Sequence, residues 1–427
     1  MRNLALYVYI VHCFHLSISI DTRYNNIIST NAKRNGVKAM SLFDKVYARQ
    51  QTDSLKWDKL KFVYDRDNVD GIIPMWVADM DFAAPKSITQ AIQKRLDNPV
   101  YGYSFEGETC TAATIAWLKQ HHATDIEVDW VLYHQGVVPA IASVVEAFTA
   151  PGDAVLTTAP IYPPFFNSPK QLQREVVFCA LDEAQGQYTL DLTKLDAALA
   201  AENVKLFILC HPHNPIGFTW SDEELRQIDA LCAKHGVLLL SDEIHSDLVL
   251  TGTHTPLLKI SAHKDNVITL FAPTKTFNIA GIHAAMMFVP DADKRQQLQT
   301  TMQSHAQGGL NIFAMAAIEG AFSEEGATWL AELKDYLRDN IRYTAEQLNA
   351  IDGLYVHENA ATYLMWLDYR ETKLAEKDVM ARLLDAGVAL DPGTKYGEHG
   401  NGFLRINIAC PKETLEQAVS RMKSVFM

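Results

Sequence analysis

The sequence predicts an α/β protein with a large domain around a mostly parallel sheet and a smaller α+β domain. At 427 residues the chain is longer than one hydrophobic core usually organises, so a second domain is expected. From Ser87 onward, helical periodicity alternates with short β-branched runs, which is typical of a parallel sheet with crossover helices. After about Gly326 long helices and a few strands follow, which indicates the smaller domain.

Four apolar runs predict strands of the large domain. Each is followed at once by a polar, glycine-containing or proline-containing segment. Ligands of open α/β sheets bind beyond the carboxyl ends of the strands, so we expect these segments to converge on one pocket. The runs are residues 130–135, 205–210, 237–241 and 267–272.

The helix predicted over residues 222–235 shows the local signals most clearly. Ser221 can cap it, with Glu224 three residues later, and Gly236 follows as a stop. Leu225 and Ile228 belong to its apolar face. In the smaller domain we expect a long helix, a strand within 362–369, a helix ending near Gly387, a strand within 403–410 and a terminal helix.

The first 39 residues differ from the rest of the chain. Residues 1–20 hold an early arginine and an apolar run that could pass for a signal peptide. His12 and His15 interrupt that run and no small-residue cleavage site is evident, so we interpret 1–39 as an extension, disordered or not native, with Met40 as the functional start. The other predicted boundaries are 40–84 for an N-terminal arm with part of the small domain, 85–325 for the large domain and 326–427 for the C-terminal small domain.

Composition and charge argue against several partners. Hydrophobic residues make up 48% of the chain and charged residues 21%, close to the averages of globular proteins. The net charge of −13 would repel nucleic-acid phosphates and anionic lipid, so neither nucleic acid nor a membrane is expected as a partner. The six cysteines lie far apart without a CxxC pair, which argues against a disulfide framework and predicts a reducing, cytoplasmic location.

Lys275, Asp242 and Asn214 each follow one of the predicted strands, and together they suit a planar aromatic cofactor. A lysine in a low-dielectric site has a lowered pKa, which favours Schiff-base chemistry. A buried carboxylate can pair with a protonated ring nitrogen and keep such a cofactor an electron sink. The amide of Asn214, in a turn set by Pro215 and Gly217, can donate to a phenolic ring oxygen. Alone, each residue is more often a loop lysine, a cap or a turn residue.

Three further features could complete the site. Tyr162 offers an aromatic face for stacking on a ring, although a core or surface tyrosine is an equally simple explanation. Gly136, Val137 and Val138 begin a predicted helix directly after a strand, so their backbone amides could hold a phosphate. Arg405 lies inside an apolar strand, where a substrate carboxylate or an internal salt bridge would offset the cost of its burial.

Two other cofactor classes find little support. His211 and His213 invite a metal interpretation, but no further cysteine, histidine or carboxylate constellation completes a site, so no metal is predicted. No GxGxxG segment follows any predicted strand, which argues against a Rossmann dehydrogenase.

Three motifs in a fixed order give the chain its resemblance to a known family. NPIG (214–217), DEIHSD (242–247) and APTKTFNIAG (272–281) follow one another, with 28 residues from Asn214 to Asp242 and 33 from Asp242 to Lys275. In this the chain resembles fold-type-I pyridoxal-phosphate (PLP) enzymes of the class I/II aminotransferase-like family. Within that family it is most similar to the MalY/PatB group of cystathionine β-lyases, from about Met40 to the C-terminus. The likeness implies the fold of aspartate aminotransferase, with a seven-stranded, mostly parallel mixed sheet. The segments that carry the likeness to the MalY/PatB group are MWVADMDF (75–82), YGYS (101–104), QGVVPA (135–140), DEIHSD (242–247) and TKTFN (274–278).

The resemblance implies a role for each candidate residue. Lys275 would hold PLP and move the proton, Asp242 would bind the ring nitrogen, and Asn214 the ring oxygen. Tyr162 would stack on the ring and contact substrate. The phosphate would be held by Gly136, Val137, Val138 and Thr274.

The resemblance also implies a substrate site shared between two subunits. Arg405 would bind the α-carboxylate of the substrate, and the backbone near Ala78 would close over it. Tyr103, a candidate catalytic residue, would reach the phosphate or substrate of the neighbouring subunit. A homodimer with shared active sites is therefore expected.

Three positions depart from the common aminotransferase pattern. His245 stands where those enzymes usually place a tyrosine near the ring oxygen, and His283 where an arginine commonly clamps the phosphate. Ala272 replaces a serine, so phosphate binding would depend on Thr274, Tyr103 and backbone amides. The two histidines shift the expectation away from ordinary transamination.

The function implied is β-elimination by a PLP-dependent carbon–sulfur lyase. From L-cystathionine or a related cysteine conjugate it would release a thiol, here homocysteine, with pyruvate and ammonia, a step of methionine biosynthesis. Transamination of an L-amino acid is the main alternative, because both reactions use the same residues. A regulatory protein with this fold is a weaker alternative, because no helix-turn-helix precedes Met75 and the negative net charge disfavours contact with DNA.

Overall fold

A computed structural model describes residues 40–307 and 309–427 of the chain. The extension predicted at 1–39 lies outside the described residues. By their contacts the described residues divide at Lys45 and Val46. In the short first part, Ser41 caps a 3₁₀ turn at Leu42–Asp44. The elements that follow all belong to the second part.

Fifteen strands lie within the described residues. They form one seven-stranded sheet, one four-stranded sheet and two short pairs. In chain order the strands are β1 (Ile73–Pro74), β2 (Val131–His134), β3 (Ala154–Ala159), β4 (Glu175–Ala180), β5 (Asp182–Ala184), β6 (Gln187–Thr189), β7 (Val204–Cys210), β8 (Leu238–Asp242), β9 (Val267–Phe271), β10 (Ala285–Phe288), β11 (Tyr355–Val356), β12 (Leu364–Asp368), β13 (Val388–Ala389), β14 (Asp391–Pro392) and β15 (Phe403–Asn407).

The α-helices of the described residues range from single turns to seven turns. None of them is both long and apolar enough to cross a lipid bilayer. The helices are Leu55–Asp58, Leu60–Val63, Lys86–Leu96, Glu108–His122, Val137–Phe148, Pro164–Gln171, Leu192–Leu199, Asp222–His235, Leu257–Ile260, Pro273–Thr276, Ala292–Ser304, Ile312–Ala321, Glu324–Leu348, Glu376–Asp385 and Lys412–Phe426.

The seven-stranded sheet has the order β2-β10-β9-β8-β7-β3-β4. Only β10 runs antiparallel to its neighbours, so the other six strands share one direction. The prediction of a mostly parallel, mixed seven-stranded sheet is therefore confirmed. The four predicted strands are β2, β7, β8 and β9, and their carboxyl ends lie along the same edge.

The helix Val137–Phe148 packs its apolar face on this sheet. Its Ile141 and Val144 are fully buried in one apolar cluster with Val155 of β3 and Ile208 of β7. Burying one such aliphatic side chain contributes about 1.5–3 kcal/mol. Because the helix begins directly after β2, this packing fixes its N-terminus at the carboxyl edge of the sheet.

The four-stranded sheet has the order β11-β12-β15-β14 and is antiparallel. Arg405 of β15 pairs with Trp366 on one side and with Asp391 on the other. In a separate parallel pair, Ile73 of β1 lies opposite Val388 of β13. These strands come from the segments assigned to the small domain, whose exact boundaries remain predictions.

The helix Asp222–His235 confirms the prediction made from its caps. Ser221 accepts a hydrogen bond from the N–H of Glu224, the Glu224 carboxylate accepts one from the N–H of Ser221, and Gly236 ends the helix at a φ of +66°. We expect Ser221→Ala to lower the free energy of unfolding by about 1 kcal/mol, because the backbone N–H of Glu224 loses its acceptor. Urea denaturation measures the change. Ser221→Asp keeps an acceptor and should stay near wild type.

Candidate active site

A cavity of about 280 Å³ lies at the carboxyl edge of the large sheet. All four predicted segments supply residues to it, so the predicted convergence is confirmed. The sequence candidates that line the cavity are Ala78, Gly136, Val137, Val138, Tyr162, Asn214, Asp242, His245, Thr274, Lys275 and His283. A wider cavity of about 830 Å³ shares Ala78, Tyr162, Lys275 and His283 with the first and adds Arg405.

Lys275 lies on the one-turn helix Pro273–Thr276, which follows β9 directly. Its Nζ donates a hydrogen bond of 2.6 Å to the carbonyl oxygen of Ala78. Burial, and secondly the positive charge of Arg405, lower the pKa of Lys275 to about 8. About half of its amine is therefore neutral at pH 8, far more than for an ordinary lysine, and the neutral form can act as a nucleophile or a base.

Asp242 is the last residue of β8 and is buried. One carboxylate oxygen accepts a hydrogen bond of 3.1 Å from the N–H of Ile244. Burial, and to a smaller extent the neighbouring Glu243, raise the pKa of Asp242 to about 7. A cation in the cavity would favour the carboxylate form, so this residue fits a protonated ring nitrogen.

Asn214 and Arg405 contact each other between the two sheets. Nη1 of Arg405 donates to Oδ1 of Asn214 at 3.2 Å, while Nη2 donates to Asp391 at 3.1 Å and to the carbonyl oxygen of Trp76 at 2.7 Å. The internal salt bridge allowed by the sequence is therefore present. The buried Nε of Arg405 has no hydrogen-bond partner among the described residues. Arg405 lines the wider cavity, and a guanidinium there fits an incoming carboxylate.

The segment around Ala78 is held by its backbone carbonyls. The oxygen of Ala78 accepts from Lys275 and also, at 3.0 Å, from the hydroxyl of Tyr363. Asn407 donates to the carbonyls of Val77 and Asp79 on either side. The segment is therefore tied both to the lysine turn and to β15, which fixes it as a wall of the cavity.

The N-terminus of the helix Val137–Phe148 opens into the cavity. Gly136 has a φ of +150°, a conformation that other residues rarely adopt. The first N–H groups of a helix have no partner within it and carry partial positive charge. Gly136, Val137, Val138 and the hydroxyl-bearing Thr274 therefore fit a phosphate group.

Tyr162 and His245 line the cavity as predicted. Tyr162 is partly buried and lies against the apolar core of the sheet. Burial, followed by the charges of Lys275 and Arg405, lowers the pKa of His245 to about 3, so its ring is neutral. Its buried Nδ1 has no partner among the described residues. A neutral imidazole can donate one hydrogen bond and accept another.

Tyr103 is not brought to this cavity by its own chain. Its side chain is fully exposed and borders an open groove of about 860 Å³, which Phe105 also lines. Its implied role in the site of a neighbouring subunit stays a prediction.

The histidines considered for a metal have other partners. His211 shares a hydrogen bond of 3.0 Å with the carbonyl oxygen of Thr255, and His213 one of 3.3 Å with the hydroxyl of Thr158. No group of three potential metal ligands forms among the residues that the structure describes.

Four residues that contact the site or its neighbours were not predicted. Tyr363 contacts Ala78, and Asp391 contacts Arg405. Asn407 contacts the carbonyls on either side of Ala78, and Asp247 accepts a hydrogen bond from Thr276, next to Lys275. A usable signal existed for two of them. Asn407 stands two residues after Arg405 on the same strand, and Asp247 ends the DEIHSD segment.

Comparisons with known proteins agree with this site. The sequence profile of the family "Aminotransferase class I and II" matches residues 71–422. The chain is 40% identical to cystathionine beta-lyase PatB of Bacillus subtilis (strain 168), over 90% of this chain and 99% of PatB. It is 32% identical to protein MalY of Escherichia coli (strain K12), over 88% of this chain and 97% of MalY.

The fold has close counterparts among solved structures. The crystal structure of cystalysin from Treponema denticola, which contains a PLP cofactor, superimposes with a TM-score of 0.87 at 32% identity, over 90% of this chain and 98% of cystalysin. An amine, a carboxylate and a helix N-terminus that fit PLP therefore occur here on the fold of a known PLP protein. The chain belongs to the class I and II aminotransferase family, and within it to the PLP-dependent carbon–sulfur lyases related to PatB.

Proposed function

We propose that this enzyme cleaves L-cystathionine and related cysteine conjugates by β-elimination. With water, cystathionine gives homocysteine, pyruvate and ammonia. The observation that carries the proposal is that Lys275, whose pKa is lowered, and Arg405 line the same cavity. The 40% identity to a cystathionine β-lyase over nearly the whole chain supports elimination rather than transamination.

The residues present divide the work of the reaction. Bound PLP would supply an electron sink for negative charge at the α-carbon of the substrate. Arg405 binds the α-carboxylate through its guanidinium, which places the α-proton toward Lys275. Nζ of Lys275 removes that proton as a general base. Asp242 would pair with the protonated ring nitrogen of bound PLP, and the amide of Asn214 would donate to the ring oxygen.

Product analysis tests the proposal. The chain from Met40, loaded with PLP, is incubated with cystathionine, and pyruvate and free thiol are measured without any added keto acid. Equal amounts of the two products are expected. If product forms only after a keto acid is supplied, the activity is transamination, and if no visible band of bound PLP develops, the cofactor assignment itself is wrong.

Attachment of PLP to Lys275 is expected to become faster as pH rises through about 8. The attacking amine must be neutral, and Lys275 reaches that state at its lowered pKa of about 8. Arg405→Gln removes one cause of the lowering, so the midpoint should move to higher pH. Absorbance of apoprotein mixed with PLP measures the rate. Arg370→Gln, which changes an exposed arginine paired with Asp368 and Glu183, is the control and should leave the midpoint in place.

We also propose that the chain forms a homodimer in which each subunit contributes to the active site of the other. We propose a cytoplasmic location for this dimer. Exposed Tyr103 and Phe105 support the dimer, because large aromatic side chains at a surface groove favour a protein contact. A test is to mix the Lys275→Ala and Tyr103→Ala variants, unfold them together and refold the mixture, so that dimers with one chain of each variant form. A hybrid dimer holds one intact site, so partial recovery of thiol release is expected, whereas independent sites would recover none.

A further inference from the structure

A buried carboxylate lies behind the turn that carries Lys275. Asp247 is 2% exposed, and Trp117, His122 and Thr276 surround it. None of the four lines either cavity of the candidate site. We call them the Asp247 cluster.

Both oxygens of Asp247 are used. Oδ1 accepts from Nε1 of Trp117 at 3.0 Å and from Nε2 of His122 at 2.7 Å, and Oδ2 accepts from the hydroxyl of Thr276 at 3.1 Å. The donors come from two distant elements, the helix Glu108–His122 and the turn after β9. The cluster therefore joins three segments that meet behind the cavity.

Asp247 stays ionised in this surrounding. Burial alone would raise its pKa, but the hydrogen bonds from His122 and Trp117, with the charge of Lys334, hold the pKa below the ordinary value. Hydrogen bonds to a carboxylate are shorter and stronger than those between neutral groups. Apolar side chains in place of a buried charged pair are often neutral or stabilising, so the stability of the fold alone gives little reason for this carboxylate.

The turn Pro273–Thr276 needs support from outside. A single helical turn has few bonds of its own, here from the N–H of Phe277 to Pro273 and of Ile279 to Thr274. Thr276 directly follows Lys275 and bonds to Asp247, and the ring of Phe277 packs edge-on against Trp117 at 5.7 Å. The cluster therefore holds the two residues that follow the lysine.

We propose that Asp247 is a positioning residue, which fixes the Lys275 turn through Thr276 and so keeps Nζ of Lys275 at the carbonyl of Ala78. The inference rests on the role proposed for Lys275. According to this inference, the position of Nζ of Lys275 depends on the Asp247 carboxylate, which lies outside the cavity.

A pair of substitutions at one position tests the inference. Thr276→Val removes the hydroxyl and keeps the volume, whereas Thr276→Ser keeps the hydroxyl. In the PLP-loaded valine variant, kcat for thiol release from cystathionine should fall about 10- to 100-fold while KM changes little, because small displacements of a base cost that much. The rate of PLP attachment to the apoprotein should fall as well. The serine variant should retain both rates.

Thr344→Val is the matched control. Thr344 is equally buried and donates its hydroxyl to the carbonyl of Asn340 within the helix Glu324–Leu348. It should leave kcat and the rate of PLP attachment unchanged. If Thr276→Val behaves like this control, or if Thr276→Ser is as slow as Thr276→Val, the inference is wrong. If the wild-type protein releases no thiol, the proposed function is wrong. The rates of PLP attachment in the Thr276 variants would then still test whether Asp247 positions Lys275.

Discussion

Replacing Lys275 with alanine is expected to lower kcat for thiol release at least about 1,000-fold, within the range that a general base contributes. Among the described residues, no other lysine lines the cavity of about 280 Å³. No other amine there can therefore replace Nζ as the base or as the attachment point of PLP. The visible band of bound PLP should disappear together with the activity. Absorbance spectra and thiol release measured on the same preparation check both effects.

The fold should tolerate that loss. The carbonyl oxygen of Ala78 still accepts from Tyr363, so removing Nζ leaves no buried acceptor without a donor. A partly buried amine with a lowered pKa also opposes stability when it is charged. The unfolding temperature should therefore stay near or above that of the wild-type apoprotein. Lys275→Arg is the comparison, because arginine keeps a charge but cannot lose its proton.

A Lys275→Ala variant that still released thiol would contradict the assignment of the base. A variant that lost activity only because it unfolded would be recognised by its melting curve. The two results are distinct, so the experiment separates a chemical role from a structural one.

The arrangement of the site could be predicted where the sequence pattern sets direction. Asp242 ends β8 and Lys275 follows β9, and these strands are parallel neighbours. Asn214 follows β7, which is the next strand along the sheet. Because parallel strands end at one edge, strand recognition alone brought the three residues together.

The partners of Arg405 could not be predicted in the same way. Periodicity identifies its strand but not the chain that lies across the cavity. Asp391 is reached through antiparallel pairing of β14 with β15, and Trp76 comes from a segment 329 residues away. Such contacts depend on the packing of separate elements, which local pattern does not encode.

Tyr103 marks a different limit. The structure contains one chain, and the side chain is fully exposed in it. A residue that acts in the site of a second subunit has no partner within its own chain. The expectation for Tyr103 came from the family resemblance and not from a pattern in the residues.

Asp242→Asn is expected to lower kcat about 100- to 1,000-fold, the usual cost of removing one group that stabilises charge in the transition state. Asparagine keeps the shape and can still accept from the N–H of Ile244, but it carries no negative charge. Without that charge the ring nitrogen of bound PLP is harder to keep protonated. Thiol release at saturating cystathionine measures the effect.

The stability of the apoprotein should change in the opposite direction. The pKa of Asp242 is raised to about 7, so the folded state favours its protonated form. Stability from this group is present at low pH and is lost as pH rises toward 7, because the unfolded chain ionises the carboxyl freely. Asparagine avoids that loss, so the apo variant should be at least as stable as wild type above pH 7.

Asp229→Asn is the control for both effects. Asp229 is also buried and accepts two hydrogen bonds, from the hydroxyl of Ser261 and the N–H of Ala262, but it lines neither cavity. Its replacement should leave kcat near wild type. If both variants lost activity equally, the effect would come from a disturbed fold, whereas a loss confined to Asp242→Asn would locate the required charge at the carboxyl end of β8.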